Sequence, residues 1–303
     1  MTARVAVLGA SGFVGRHVTD ALRSRGAEVV AVRAPRLLTA ARSVEELQAE
    51  LASPGVVTVV ESMRGELIGC AAVVNAAGVA DATGGGDALY GADALLPGVV
   101  ALAAPGESRV LHVSSAAVQG RRPVLDESED AAPFSDYSEA KALGEQVVRG
   151  VRLDAVVYRP TSVQGPGRRI TQQLARVAAS RFACVAGQGE RPTPQVLAEN
   201  VADAIAFVTL TEEVPPPVVL HPGEGLTTAS LLEMLGSHRP LHVPEPVARA
   251  LLAVLFSMGG RSSRVAGMAR RIELLWFGQE QEHGWLTGRW TAPVGMERWK
   301  GIV

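Results

Sequence analysis

The sequence predicts an α/β fold in which helices cover both faces of a parallel sheet. Short unbroken apolar runs alternate with helix-period segments as far as residue 160, the first run leads straight into a glycine-spaced turn, and hydrophobic residues make up 47% of the chain against 20% charged. Strands buried on both faces read as continuous apolar runs because neither side meets water. Their alternation with helices is the rhythm of right-handed βαβ crossovers. The 303 residues suffice for one large α/β domain, or for one with a smaller partner.

Residues 4–8 (RVAVL) read as a buried strand, and an amphipathic helix over 14–25 ends at Gly26. Residues 28–33 (EVVAVR) form a second strand. A polar helix over 43–52 precedes 56–60 (VVTVV), which reads as a third strand, and 71–75 (AAVVN) as a fourth. After a glycine loop at 84–86, a long Ala/Leu segment is predicted helical to residue 103. Residues 109–114 (RVLHVS) and 155–158 (AVVY) are strands five and six, with a helix over 137–149 between them and Pro160 as the stop.

Beyond residue 166 the rhythm changes. Helices are predicted over 170–181 and 200–209, a Gly/Pro loop over 187–194, a strand at 218–220 and mostly helix over 247–276. The expected architecture is a Rossmann-type doubly wound parallel sheet over 1–166, with segments near 196–221 returning to it. The smaller region over 167–303 is expected to cap a substrate, with Trp276, Trp285 and Trp290 in its packing or, alternatively, lining a pocket. The apolar stretch 247–258 reads as packing, in the core or between two copies of a homodimer, or as a lid over an apolar substrate.

A net charge of −2 without a basic tract argues against nucleic-acid and anionic-membrane partners. Cys70 and Cys184 lack paired spacing, and the six histidines form no ligand pattern, so neither disulfide nor metal is expected. The acidic run 126–130 (DESED) reads as a solvated face that borders the substrate entrance. No apolar stretch approaches the ~20 residues of a membrane span, and no leader precedes the first strand, so the expected location is cytoplasmic. Arginine dominates the basic residues and only Lys141 and Lys300 are lysine, a bias suggesting a GC-rich bacterial source.

Gly9, Gly12 and Gly15 carry the GxxGxxG spacing directly between a strand and a helix, with Ser11, Phe13 and Val14 among them. Gly9 permits the tight turn, Gly12 the approach of backbone to a pyrophosphate, and Gly15 close helix–strand packing. An NAD site usually places an acid at the end of the second strand. Here that place holds Arg33, with Arg36 close behind, and a guanidinium fork suits a 2′-phosphate. The expected cofactor is NADP rather than NAD.

Tyr137 and Lys141 (YSEAK) share one helical face, four residues apart, in a chain with three tyrosines. A cationic Lys141 favours the phenolate form of Tyr137, which can then exchange a proton with a carbonyl or hydroxyl.

These motifs occur in one order: GxxGxxG, NAAG at Asn75, Ala76, Ala77 and Gly78, SSAAVQG from Ser114, YSEAK, and RPTSVQGP from Arg159. In that order the chain resembles the extended short-chain dehydrogenases, the NAD-dependent epimerase/dehydratase family, strongly to about residue 166 and weakly to about 235. The resemblance implies that Ser115 is the third catalytic residue and that Lys141 also holds the nicotinamide ribose. It further implies that Asn75–Gly78, Arg159, Pro160 and Ser162 line the cofactor site, with Ser114 and Ala116 on the substrate side.

Two departures bear on the reaction. The family's dehydratases carry Asp-Glu where this chain has Ala116-Ala117, which disfavours dehydration. The position of the family's diphosphate-binding arginine holds Thr193, and Arg191 is the nearby substitute. The expected function is NADPH-dependent reduction of a secondary carbonyl on a small molecule, a keto-sugar nucleotide first among them. A nucleotide-sugar epimerase with retained cofactor, a 3β-hydroxysteroid-dehydrogenase-like enzyme on an apolar substrate, and a non-enzymatic NADP-binding regulator are the alternatives.

Overall fold

The computed structural model describes residues 2–79, 86–236, 238–259 and 263–302, so residues 84 and 85 of the expected glycine loop lie outside it. The strands are β1 (Arg4–Leu8), β2 (Glu28–Val32), β3 (Ala72–Asn75), β4 (Arg109–Val113), β5 (Val124–Leu125) and β6 (Val156–Arg159). They continue with β7 (Ser162–Gln164), β8 (Cys184–Ala186), β9 (Gln195–Leu197), β10 (Val218–Leu220), β11 (Leu241–Val243) and β12 (Glu280–Gln281). The helices are α1 (Phe13–Ser24), α2 (Val44–Leu51), α3 (Pro54–Leu67), α4 (Asp87–Tyr90), α5 (Leu96–Ala103) and α6 (Asp136–Val151). After them come α7 (Arg169–Ala179), α8 (Ala198–Leu210), α9 (Thr228–Leu235), α10 (Glu245–Gly259) and α11 (Ser263–Phe277).

Six strands form one parallel sheet in the order β10-β6-β4-β3-β1-β2. The chain winds outward from β1 in both directions, so a crevice opens at the carboxyl ends of β1 and β3, where such sheets bind ligands. One face is covered by α2, α3, α5 and α6 through Leu47, Leu51, Val60, Val99 and Val147. The other is covered by α1 and α8 through Val18, Leu22, Val201 and Ile205.

Residues 56–60 are a helix, not the expected third strand. Ser53 caps α3 by accepting from the Val56 N–H and Pro54 occupies its first turn, while Val56, Val60, Met63 and Leu67 bury a single face at helical spacing. The apolar run concealed that Ser-Pro start signal. The Ala/Leu helix ending at 103 is also interrupted, by a π-helical turn over Gly91–Leu95. Pro97 has no N–H to give the carbonyl of Asp93, four residues back, and the turn widens there.

Beyond β7 the chain alternates between the sheet and a layer above its carboxyl edge. Strand β10 pairs with β6 and α8 packs on α1, whereas α7, α9, α10 and α11 gather with the short pairs β7–β9 and β8–β11. Trp285 packs on Phe207, and Trp290 donates to Asp203, 2.8 Å away, so both brace α8. The acidic run is partly inward. Glu127 accepts from the backbone N–H groups of Leu220 and Trp285, tying β10 to the C-terminal segment, and burial pushes its carboxyl up. Cys70 and Cys184 are free thiols.

Candidate active site

The glycine loop closes on itself and on the turn after β3. Gly9 has φ of +75°, and a Cβ there would lie 2.7 Å from the Ala77 nitrogen. A Cβ on Gly15 would lie 2.0 Å from the Gly9 carbonyl oxygen. Gly12 is the N-cap of α1, which has neither a side-chain cap nor an acid in its first turn. Free N–H groups and the helix dipole therefore face the crevice, as a pyrophosphate requires, and the residues present fit a dinucleotide. Ser11 is exposed at this edge, and Phe13 folds back against Gly165.

The register pairs Leu8 with Val32, which sets Arg33 across from Gly9. Arg33 and Arg36 are exposed and make no ion pair among the described residues.

A cleft of about 360 Å³ continues from this loop. Val14, Ala76, Ala77, Gly78, Pro160 and Ser162 line one side of it. Ser115, Ala116, Tyr137 and Lys141 line its centre, and Arg168, Ile170, Arg270, Arg271 and Leu274 its outer wall. The outer wall therefore includes α11, while α10 packs behind it.

Helix α6 presents Tyr137 and Lys141 to the cleft. Ser135 caps it in a reciprocal box with Ser138, fixing the first turn that carries Tyr137. One turn later the Lys141 ammonium lies 3.1 Å from Asp93 Oδ1 and donates to the Val113 carbonyl at 3.2 Å. Burial pulls the Lys141 ionisation down, but Asp93, Tyr137 and Glu145 together more than offset it and hold the ammonium above its ordinary value. Ser115 caps the 3-10 turn over Ala116–Gln119, its Oγ accepting from Ala117 N–H and lining the cleft.

Four expected contacts turn elsewhere. Arg159 is fully buried: its guanidinium bonds Glu145 at 2.6 Å and the Ser128 carbonyl at 2.7 Å, so it braces the floor and does not line the cleft. Ser114 lines the cleft, but its hydroxyl donates to the same Glu145. Asn75 accepts from Ala77 N–H and meets the buried His112 ring, shaping the NAAG turn from within. Arg191 lies outside the cleft, 3.5 Å from Glu245.

Three residues escaped the sequence reading. Asp93 is the one acid inside the apolar stretch 88–103, which is the signal that marks it. Arg168 follows Gly-Pro-Gly at the cleft wall, where it stacks on Phe13 with 5.0 Å to the ring centroid and bonds the Val163 carbonyl. Burial lowers its ionisation, and the Tyr137 side chain opposes that shift. Arg271 carried no motif; only the placement of α11 reveals it.

The family model for NAD-dependent epimerases/dehydratases matches residues 5–220. The chain belongs to this family. It is an NAD(P)-dependent enzyme of the extended short-chain dehydrogenase type and uses a nicotinamide cofactor. It is similar to the dTDP-6-deoxy-L-talose 4-dehydrogenase (NAD(P)(+)) of Kitasatospora kifunensis, 31% identical over 77% of this chain and 78% of that one. Among solved structures, MoeE5 in complex with UDP-glucose and NAD shares the fold over 99% of this chain and 97% of its own, with a TM-score of 0.63 and 20% identity. The dTDP-4-dehydrorhamnose reductase of Bacillus anthracis in complex with NADP covers 80% of this chain and 85% of its own, at a TM-score of 0.59 and 18% identity. No described helix is long and apolar enough to cross a membrane, and no metal-ligating cluster occurs among the described residues.

Proposed function

We propose that this enzyme is an NADPH-dependent reductase of a keto group on a nucleoside-diphosphate sugar. The observation that carries the substrate class is the outer wall of the cleft. There Arg168 and Arg271 face the space beside Tyr137 with no carboxylate partner among the described residues. Two guanidinium groups beside a reacting tyrosine suit a diphosphate, which accepts charge-assisted bidentate bonds. They take the role expected of Arg191. The 4-dehydrogenase relative, whose name places it on a dTDP-sugar, supports the same class.

The cradle of Gly9, Gly12 and Gly15 holds the cofactor's pyrophosphate, and Arg33 with Arg36 selects the 2′-phosphate. When bound, the nicotinamide supplies a hydride to the carbonyl carbon. Ser115 donates a hydrogen bond to the carbonyl oxygen and Tyr137 gives that oxygen a proton, so the carbonyl gains hydride and proton and becomes an alcohol. Lys141 stabilises the tyrosinate that remains until solvent reprotonates it. Ala116 and Ala117 offer no acid or base, so water elimination is not catalysed. Residues 167–303, apart from the returning α8 and β10, form the substrate cap.

The test is NADPH consumption against 4-keto-sugar nucleotides and, in parallel, apolar ketones of similar size. Turnover confined to the sugar nucleotides is expected. Tyr137→Phe lowers kcat by roughly 10² to 10⁴-fold, and Arg271→Ala raises KM for the sugar nucleotide with kcat little changed. Turnover confined to the apolar ketones would sink the substrate assignment, and undiminished turnover in Tyr137→Phe the mechanism. Cofactor that co-purifies and is never consumed while the sugar inverts would favour an epimerase.

A further inference from the structure

We propose that Asp93 is a positioning residue of this site, locking the Lys141 ammonium behind Tyr137 and tempering the charge that Tyr137 meets. The proposal rests on the reading of Tyr137 and Lys141 as the reacting pair.

The chain is shaped around this contact. Asp93 sits in the π-helical turn and is fully buried. Its Oδ1 receives Lys141 and the Val79 N–H, at 3.1 and 3.2 Å. Two glycines make room for it. A Cβ on Gly78 would lie 2.4 Å from Asp93 Oδ1 and 3.0 Å from Lys141 Nζ, and one on Gly144 would lie 2.1 Å from the Asp93 carbonyl oxygen. With the Val113 carbonyl, Asp93 engages two of the three N–H bonds of Lys141 and leaves the third to the cleft.

Stability does not explain the pair. A buried ion pair roughly breaks even with apolar packing, and Asp93 Oδ2 is buried with no hydrogen-bond partner among the described residues. A carboxylate that leaves one oxygen bare does more for the lysine than for the fold.

The charged groups around the pair are fixed. Lys141 also faces Tyr137 and Glu145 on α6 and His112 on β4, and Glu145 is held by Arg159. Tyr137 faces Arg168 and lies beside Asp136, while Arg270 and Arg271 line the same cleft from α11, Arg270 being paired with Glu273. Removing the Asp93 charge therefore leaves Tyr137 and Glu145 as the anionic neighbours of the ammonium, which favours the phenolate.

The chain itself supplies the readout, because it has three tyrosines. Burial and the Glu139 hydrogen bond push Tyr90 up to about 12, and burial pushes Tyr158 well above its ordinary value. In an ultraviolet pH titration of the full chain those two then ionise late, and Tyr137→Phe identifies the phase that Tyr137 contributes. Tyr137→Phe should abolish that phase, and Asp93→Asn should move it to lower pH by roughly half a unit to one unit. A phase lost in Tyr137→Phe but unmoved in Asp93→Asn overturns the role of Asp93 alone. A titration that Tyr137→Phe leaves unaltered overturns the reading of Tyr137, and this proposal with it. Should Asp93→Asn not fold, Gly78→Ala decides. Its methyl pushes the carboxylate off the ammonium, so the same downward move is expected, and an unmoved phase overturns the proposal.

Discussion

Arg159 Nη2 lies 2.6 Å from Glu145 Oε2, and both side chains are buried beneath the Ser114–Ser115 strip. Glu145 also receives the Ser114 hydroxyl, so one carboxylate joins α6, the end of β4 and the end of β6. Removing one partner of such a pair strands the other charge. Glu145→Ala should cost about 3–5 kcal/mol in urea unfolding. Arg289→Ala, which breaks an exposed pair with Glu213, should cost less than about 1 kcal/mol. Equal losses would show that burial does not set the value of these pairs.

Two helical glycines predict opposite outcomes for one substitution. Gly65 in α3 has open space where a Cβ would go, so Gly65→Ala should stabilise the chain by about 0.5–1 kcal/mol through helix propensity. The same change at Gly15 drives a methyl to 2.0 Å from the Gly9 carbonyl oxygen, where only backbone can give way. Gly15→Ala should distort the cradle and raise the NADPH Kd by on the order of tenfold or more. Fluorescence titration of the cofactor reads this, and an unchanged Kd would remove the glycine loop from the cofactor site.

The glycine loop, the NAAG turn and the Tyr137–Lys141 helix were legible because each is local: spacing within a few residues sets both backbone and face. What the sequence concealed is where polar side chains point. Ser114, Asn75 and Arg159 stand in motif positions but turn inward, because Glu145 and His112 wait beneath them from elements 31, 37 and 14 residues away. Asp93 reaches Lys141 through the packing of the π-helical turn on α6, and Arg271 reaches the cleft through α11 over the sheet edge, which no short window encodes. Residues 56–60 misled for another reason. A β-branched run fits strand or helix equally, and the decision lay outside it, in Ser53 and Pro54.

Arg33 and Arg36 stand exposed at the rim, across from Gly9, with no ion pair among the described residues. A 2′-phosphate gives them a partner that a 2′-hydroxyl cannot. Arg33→Ala should lower the NADPH:NADH preference in kcat/KM by about tenfold, the loss of one charge-assisted contact of about 1.5 kcal/mol. Activity with NADH should stay nearly constant. A preference that does not move would assign the two arginines to solvent.

The last prediction concerns pH and stability. His221 is fully buried, with Nδ1 2.5 Å from the Tyr158 hydroxyl, and burial pulls its ionisation from 6.5 down to about 3. His112 is displaced in the same direction by burial and by Lys141. Between about 6.5 and 3 the unfolded chain binds a proton at this position that the native chain refuses, so protonation favours unfolding and stability falls as pH falls. At pH 5 His221 alone should cost about 2 kcal/mol relative to pH 7. Glu127 and Glu224 oppose this at lower pH, because burial pushes both carboxyls up and the native state takes protons first. The comparison is therefore made between urea curves at pH 7 and pH 5, for the wild type and for His221→Asn. The variant should start less stable, having lost the buried histidine's packing, yet lose less on acidification. Parallel losses in the two proteins would show that His221 accepts its proton while folded.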